Sequence, residues 1–225
     1  MQVHNLHSWQ VTTHEAIDIQ RTLAAQVSTK SEIASPRLVA GVDISSPDAD
    51  GIASGAVFVV SYPELTQVEV QVAQWKVDFP YVPGLLSFRE APLILAAFQQ
   101  LSSTPNLILV DGQGIAHPRR LGLACHLGLF LNIPTIGCAK SRLFGKHTPV
   151  TKIKGSFAEL RDGNEIIGAA LCTKNGTNPI YVSIGHKVDL PCAIDWALRC
   201  CNGYKNPEPL RKAHLAAGEK LRDLS

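Results

Sequence analysis

Residues 38–77 hold three apolar runs: Leu38-Val-Ala-Gly-Val-Asp-Ile44, Ala53-Ser-Gly-Ala-Val-Phe-Val-Val-Ser61 and Val68-Glu-Val-Gln-Val-Ala-Gln-Trp-Lys-Val77. Each is rich in β-branched residues, and the joins between them are rich in Asp, Gly and Pro. Those joins are too short for crossover helices, so the three runs predict an antiparallel meander. Downstream the pattern changes. Ala91–Leu101 predicts a helix with Pro92 in its first turn, where a missing N–H is harmless, and Leu107–Val110 a short, fully apolar strand. Arg119–Asn132 predicts the next helix and Thr135–Ala139 the next strand, giving the order β-β-β-α-β-α-β, whose second half alternates as a parallel sheet does. Upstream, loosely helical spacing of Ile17, Leu23, Ala24 and Val27 predicts a peripheral helix from Thr13 to about Ser28, closed by Ser35-Pro36. Beyond the alternating section, Glu165–Cys172 and Ile180–Ile184 predict a hairpin around Lys174-Asn175-Gly176. Helices at Cys192–Cys201 and Pro209–Leu221 finish the chain.

A chain of 225 residues with 45% hydrophobic content can bury one substantial core, so residues 1–225 are expected to form one α/β domain. A net charge of +2 and a pI near 8.2 do not by themselves announce a nucleic-acid binder. Any basic footprint is therefore local. Arg119 and Arg120 read as phosphate contacts, and the Lys140–Lys146 run is a second candidate. Lys152 and Lys154 read as solvated surface. The six cysteines lie in apolar patterns or end a helix without Cys-x-x-Cys spacing, which argues against zinc. No stretch approaches the ~18 apolar residues of a membrane span, and no signal-like apolar core opens the chain. A cytoplasmic protein with free thiols, without membrane association, is the expectation.

Two carboxylates end very apolar strands: Asp43 in Gly-Val-Asp-Ile-Ser, and Asp111 in Val-Asp-Gly-Gln-Gly-Ile-Ala-His-Pro-Arg-Arg. Between them in the chain stands Pro80-Tyr-Val-Pro-Gly-Leu-Leu-Ser-Phe-Arg-Glu90. Its prolines stiffen a turn, Gly84 lets backbone approach a ligand, and Tyr81 offers a flat face for stacking. Arg89 suits a phosphate and Glu90 a metal. Asp43, Glu90 and Asp111 together read as a Mg2+ site, with Asp43 and Asp111 as direct ligands and Glu90 as a third, direct or through water. Lys140, directly after a strand, is a candidate for neutralising a transition-state phosphate.

These motifs, with Pro-Thr-Ile-Gly-Cys-Ala-Lys140-Ser-Arg-Leu and Tyr-Val-Ser183-Ile-Gly-His-Lys-Val, occur in the same order as in the endonuclease V family, which the chain resembles over most of its length. Gln113 departs from the His or Asn common there. The resemblance implies a ribonuclease-H-like mixed sheet, three antiparallel strands followed by parallel ones, flanked by helices. In such a sheet the first and fourth strands lie side by side, which would bring Asp43 to Asp111. It also implies a Mg2+-dependent DNA-repair endonuclease, with Mn2+ able to substitute, that nicks deoxyinosine-containing DNA at the second phosphodiester bond 3′ to the lesion. The alternatives are an inosine-specific endoribonuclease and a non-catalytic binder of distorted nucleic acid. The catalytic set would be Asp43, Glu90, Asp111 and Lys140, with His214 lent by the last helix. Tyr81 would fill the gap left by a flipped base, with Pro83 of the stiffened turn also at the DNA, and backbone at Gly84, Leu86, Gly112 and Gly122 would read that base. Arg89, His117, Arg119 and Ser183 would meet phosphates. A monomer is expected.

Overall fold

The computed structural model describes residues 1–222. Its first helix, α1 (Thr13–Ala24), starts at a capping box in which the Thr12 hydroxyl takes the Glu15 N–H and the Glu15 carboxylate takes the Thr12 N–H. Its buried stripe is Ala16, Gln20 and Leu23, at i, i+4 and i+7. The meander follows as β1 (Leu38–Ile44), β2 (Ile52–Ser61) and β3 (Gln67–Lys76), antiparallel throughout. Helix α2 (Leu86–Gln99) leads to β4 (Leu107–Val110), and α3 (Leu123–Leu131) to β5 (Thr135–Ala139). A hairpin, β6 (Phe157–Asp162) and β7 (Glu165–Leu171), precedes β8 (Ile180–His186), then α4 (Leu190–Arg199) and α5 (Glu208–Arg222).

The eight described strands form one sheet in the order β3-β2-β1-β4-β5-β8-β7-β6, with β4 parallel to both β1 and β5. This is the mixed sheet that the resemblance implied. Alternation along β1 sends Ala40 and Val42 to the face covered by α2 and α3 and Val39 to the face covered by α4 and α5. Gly41 lies on the second face. A Cβ there would stand 2.1 Å from the Pro209 carbonyl carbon, so α5 seats its first turn directly on β1 backbone.

Three local readings are corrected. Helix α2 begins at Leu86, not Ala91, so Glu90 is helical and Pro92 lies inside the helix, beyond the first turn. Helix α3 begins at Leu123 rather than Arg119, because Arg120 takes φ +57° and Gly122 caps the helix in an extended conformation. Strand β6 was not foreseen: Leu160 is its one fully buried residue, so it lacks the apolar run that marks an interior strand. The hairpin expected around Lys174-Asn175-Gly176 is present, since β7 pairs antiparallel with β8 across that loop, and β6 joins β7 through a turn at Gly163-Asn164.

Candidate active site

Because β1, β4 and β5 are parallel neighbours, Asp43, Asp111 and Lys140 at their C-terminal ends meet at one edge of the sheet. The Lys140 ammonium lies 2.5 Å from Asp111 Oδ2 and 3.9 Å from Asp43 Oδ2. Helix α5 adds His214, whose Nδ1 lies 2.7 Å from the same Asp43 oxygen. A carboxylate only accepts, so Nδ1 carries the shared proton and, in the neutral ring, Nε2 is an open acceptor. The other Asp43 oxygen, Oδ1, takes the Ile44 N–H at 2.8 Å.

Charge at this edge is poorly balanced. Burial, then the Asp111 charge, pushes the Asp43 pKa up, while Lys140 and the hydrogen bonds from Ile44 and His214 hold it back. Burial, then Asp43 and Asp111, pushes Glu90 up to about 8, with Arg89 only partly offsetting them. Burial opposes the charge on Lys140, but its hydrogen bond to Asp111 and the two aspartate charges outweigh burial and raise its pKa. Among the described residues no three His, Cys, Asp or Glu side chains stand ready around a common point, and Lys140 occupies the space between Asp111 and Asp43.

Beside this edge lies a pocket of about 120 Å³ lined by Tyr81, Gly84, Leu86, Gln113, His117 and Gly122, among others. Tyr81 is 73% exposed at the surface, and Gly84 holds φ +80°, a conformation that suits glycine. The Gly84 carbonyl is pinned by three donors: Gln20 Nε2 at 2.9 Å, His117 Nε2 at 3.0 Å and Arg119 Nη2 at 2.8 Å. The other His117 nitrogen takes the Arg119 N–H, which fixes a neutral ring, and burial lowers its pKa to about 4. Arg119 also donates to Gln20 Oε1 at 2.5 Å.

Several residues expected at phosphates are committed elsewhere. His117 and Arg119 turn inward to hold the Gly84 loop. Ser183 is fully buried, and its hydroxyl accepts from the Gly114 N–H at 2.8 Å. Arg120 is bound by Asp162 at 2.7 Å and Glu165 at 2.6 Å. Arg89 reaches the Phe79 carbonyl at 3.4 Å and, with Glu90, Tyr81 and Leu86, lines a neighbouring cleft. Pro83 lies in the wall of the Gly84 pocket, and Gly112 directly follows Asp111, where it packs against Leu123. Gln113 donates to the Ser141 carbonyl at 2.9 Å, and its buried Oε1 has no hydrogen-bond partner among the described residues. Gln20 was overlooked in the sequence, although a glutamine inside an i, i+4, i+7 buried stripe is the signal that marks it.

This sheet, with acidic residues gathered at the carboxyl ends of its central parallel strands, defines a ribonuclease-H-like protein. The sequence profile of endonuclease V matches residues 21–215. Endonuclease V of Dehalococcoides mccartyi is 51% identical over 98% of this chain and 99% of its own. The crystal structure of endonuclease V from Streptomyces avermitilis superposes with TM-score 0.91 at 38% identity, covering 100% of this chain and 99% of the other. Endonuclease V of Ciona intestinalis, solved with DNA containing an inosine followed by a ribo-adenosine, matches with TM-score 0.84 at 27% identity over 96% of this chain and 100% of its own. The chain belongs to the endonuclease V family.

Proposed function

We propose that the protein is a Mg2+-dependent endonuclease that accepts a deoxyinosine in the Tyr81–Gly122 pocket and hydrolyses the second phosphodiester bond on its 3′ side. The observation that carries this reading is the junction of Asp43, Asp111, Lys140 and His214 at one sheet edge beside a glycine-lined pocket. The donor set fits a hard divalent cation: it is all carboxylate oxygen, and Glu90 stays protonated at neutral pH until positive charge arrives. Asp43, Asp111 and Glu90 would hold Mg2+ or Mn2+, with Lys140 moving aside towards the substrate. The ion would supply Lewis-acid polarisation of the phosphate and a more acidic water.

The chain's own groups support the remaining steps. His214, oriented through Nδ1 by Asp43, presents Nε2 to take a proton from the attacking water. Lys140 is half exposed and supplies the positive charge nearest the phosphate oxygens. Hypoxanthine offers an acceptor at O6 and a donor at N1–H, a pattern that backbone amides and carbonyls of the pinned Gly84 loop can read. Tyr81 stacks in the space the base vacates.

Matched end-labelled duplexes carrying one deoxyinosine or one deoxyadenosine, incubated with Mg2+ or chelator and mapped to the nucleotide, test the reading. A Mg2+-dependent nick on the inosine duplex alone is expected, and equal cutting of both duplexes would refute it. The ribo-adenosine beside inosine in the Ciona ligand favours a second reading, inosine-directed cleavage of RNA. That reading requires a ribose 2′-OH beside the cut, so an inosine-bearing RNA cut faster than the DNA would select it.

A further inference from the structure

Charge is segregated along this chain. Residues 140–158, 172–179 and 201–207 hold seven of the 21 Lys and Arg and none of the 19 Asp and Glu. The rest of the chain therefore carries 14 basic against 19 acidic residues, and the weak net charge of +2 conceals a local basic surface.

The fold gathers four of these lysines. The Gly176 N–H bonds the Lys152 carbonyl at 2.8 Å, and the Lys154 N–H bonds Asn175 Oδ1 at 2.7 Å, so the 152–154 segment is laced to the Lys174–Gly176 turn. The Thr173 hydroxyl bonds the Lys205 carbonyl at 2.5 Å, which adds the α4–α5 connection. Lys152, Lys154 and Lys174 are exposed and Lys205 half-exposed. No carboxylate of the described residues pairs with any of the four, whereas Arg21, Arg120, Arg161, Arg199 and Arg211 are all paired. Ile153 and Phe157, 64% and 53% exposed, sit among them as flat or apolar contact area.

Topology fixes where this crest faces. Strand β8 runs antiparallel to β5 and β7 antiparallel to β8, so the β7–β8 loop shares the sheet edge on which Asp43, Asp111 and Lys140 stand. From β4 to β7 is three strand intervals, about 14 Å at ~4.8 Å each. A duplex rises ~3.4 Å per base pair, so the lysines stand about four nucleotides from the carboxylates.

We propose that Lys152, Lys154, Lys174 and Lys205 form a second nucleic-acid contact that binds backbone phosphates flanking the cleavage centre, independently of the base in the pocket. The proposal rests on the nuclease reading for its function but makes a separate physical claim. Phosphate neutralisation releases counterions, so each contact adds about 0.9 to the slope of log affinity against log salt on duplex DNA.

The test is fluorescence anisotropy of labelled 30-mer duplexes, one with a central deoxyinosine and one unmodified, titrated in chelator across a NaCl series. The proteins are the wild type, a Lys152→Gln/Lys154→Gln/Lys174→Gln variant, and a Lys30→Gln/Arg37→Gln control at the opposite sheet edge. For the triple variant the salt slope should fall by about 2 to 3 on both duplexes, with affinity at 0.1 M salt down about tenfold or more. Its single-turnover cleavage at saturating enzyme should match the wild type, as should its melting temperature. An unchanged slope on both duplexes, or an equal fall in the control, overturns the proposal. If the wild type binds both duplexes but cuts neither them nor inosine RNA with Mg2+, the nuclease reading fails, while a reduced slope in the triple variant still upholds the phosphate contact.

Discussion

Gly41→Ala probes how α5 brings His214 to Asp43. An alanine Cβ at position 41 would lie 2.1 Å from the Pro209 carbonyl carbon, 2.2 Å from its oxygen and 2.5 Å from the Leu210 nitrogen, whereas ordinary contact begins at 3.4 Å. The shortfall is 3.4 minus 2.1, or 1.3 Å. Strand β1 cannot retreat, because it is bonded to β2 on one side and β4 on the other. Helix α5 must therefore rise. His214 lies five residues beyond Pro209, ~7.5 Å along the axis, so a rigid helix carries it away with the first turn. A shift of that size stretches the 2.7 Å bond to Asp43 beyond hydrogen-bonding range. Overpacking of this kind costs about 1–3 kcal/mol, at the upper end here because both partners are backbone. For a chain of this length ~3 kcal/mol lowers the melting temperature by roughly 6–12 °C. A catalytic group misplaced by ~1 Å loses about 100-fold in rate. Thermal unfolding by circular dichroism and single-turnover cleavage well below the melting temperature measure both. Gly218→Ala, in the same helix with open space around it, is the control and should gain ~0.5–1 kcal/mol. A Gly41→Ala protein that melts within 1–2 °C of wild type, by the same scaling, and cleaves at the wild-type rate would refute the direct seating of α5 on β1.

Other expectations follow from the site. Under the proposed Mg2+ chemistry, Asp43→Asn or Asp111→Asn should abolish cleavage while leaving most DNA binding, and near-wild-type turnover in either would remove that residue from the proposed metal site. Tyr81→Ala should weaken binding of inosine-bearing duplex by about 1–3 kcal/mol, the scale of one base–aromatic stack, and an unchanged inosine-to-adenine cleavage ratio would exclude Tyr81 from recognition. His117 titrates near 4 in the fold against 6.5 in the unfolded chain, so the unfolded state takes its proton first. Its contribution is complete above about pH 6.5 and is lost as pH falls towards 4, about 3 kcal/mol in all at ~1.36 kcal/mol per unit. Buried His126, also depressed by burial, steepens the same limb. Urea midpoints between pH 7.5 and 4.5 that show no acid decline would contradict both placements.

Regular, strongly patterned elements were legible in the chain. The β1–β3 runs, the apolar β4 and β5, and the acids that end β1 and β4 follow from local composition, because a strand buried on both faces must be apolar until it reaches solvent. Strand β6 escaped notice because an edge strand with one buried side chain needs no such pattern. The early start of α2 was hidden inside a motif read as a loop, and Pro92 looked like a first-turn residue, although it lies inside the helix.

At the site, the sequence determined which side chains are available: Asp43, Glu90, Asp111, Lys140, His214 and the Tyr81–Gly84 turn. Tertiary structure alone decided their partners. The order of β1, β4 and β5 in the sheet placed Asp43 and Lys140 beside Asp111, and the bare backbone at Gly41 admitted α5 with His214. The sheet that crosses from β5 through β8 to β7 aligned the acid-free loops on the same edge. His117 and Arg119 looked like phosphate ligands until the fold gave them the Gly84 carbonyl to hold. The reason is physical: composition and spacing act within a few residues, while a hydrogen bond or ion pair is chosen by whichever group the packed chain brings within about 3 Å.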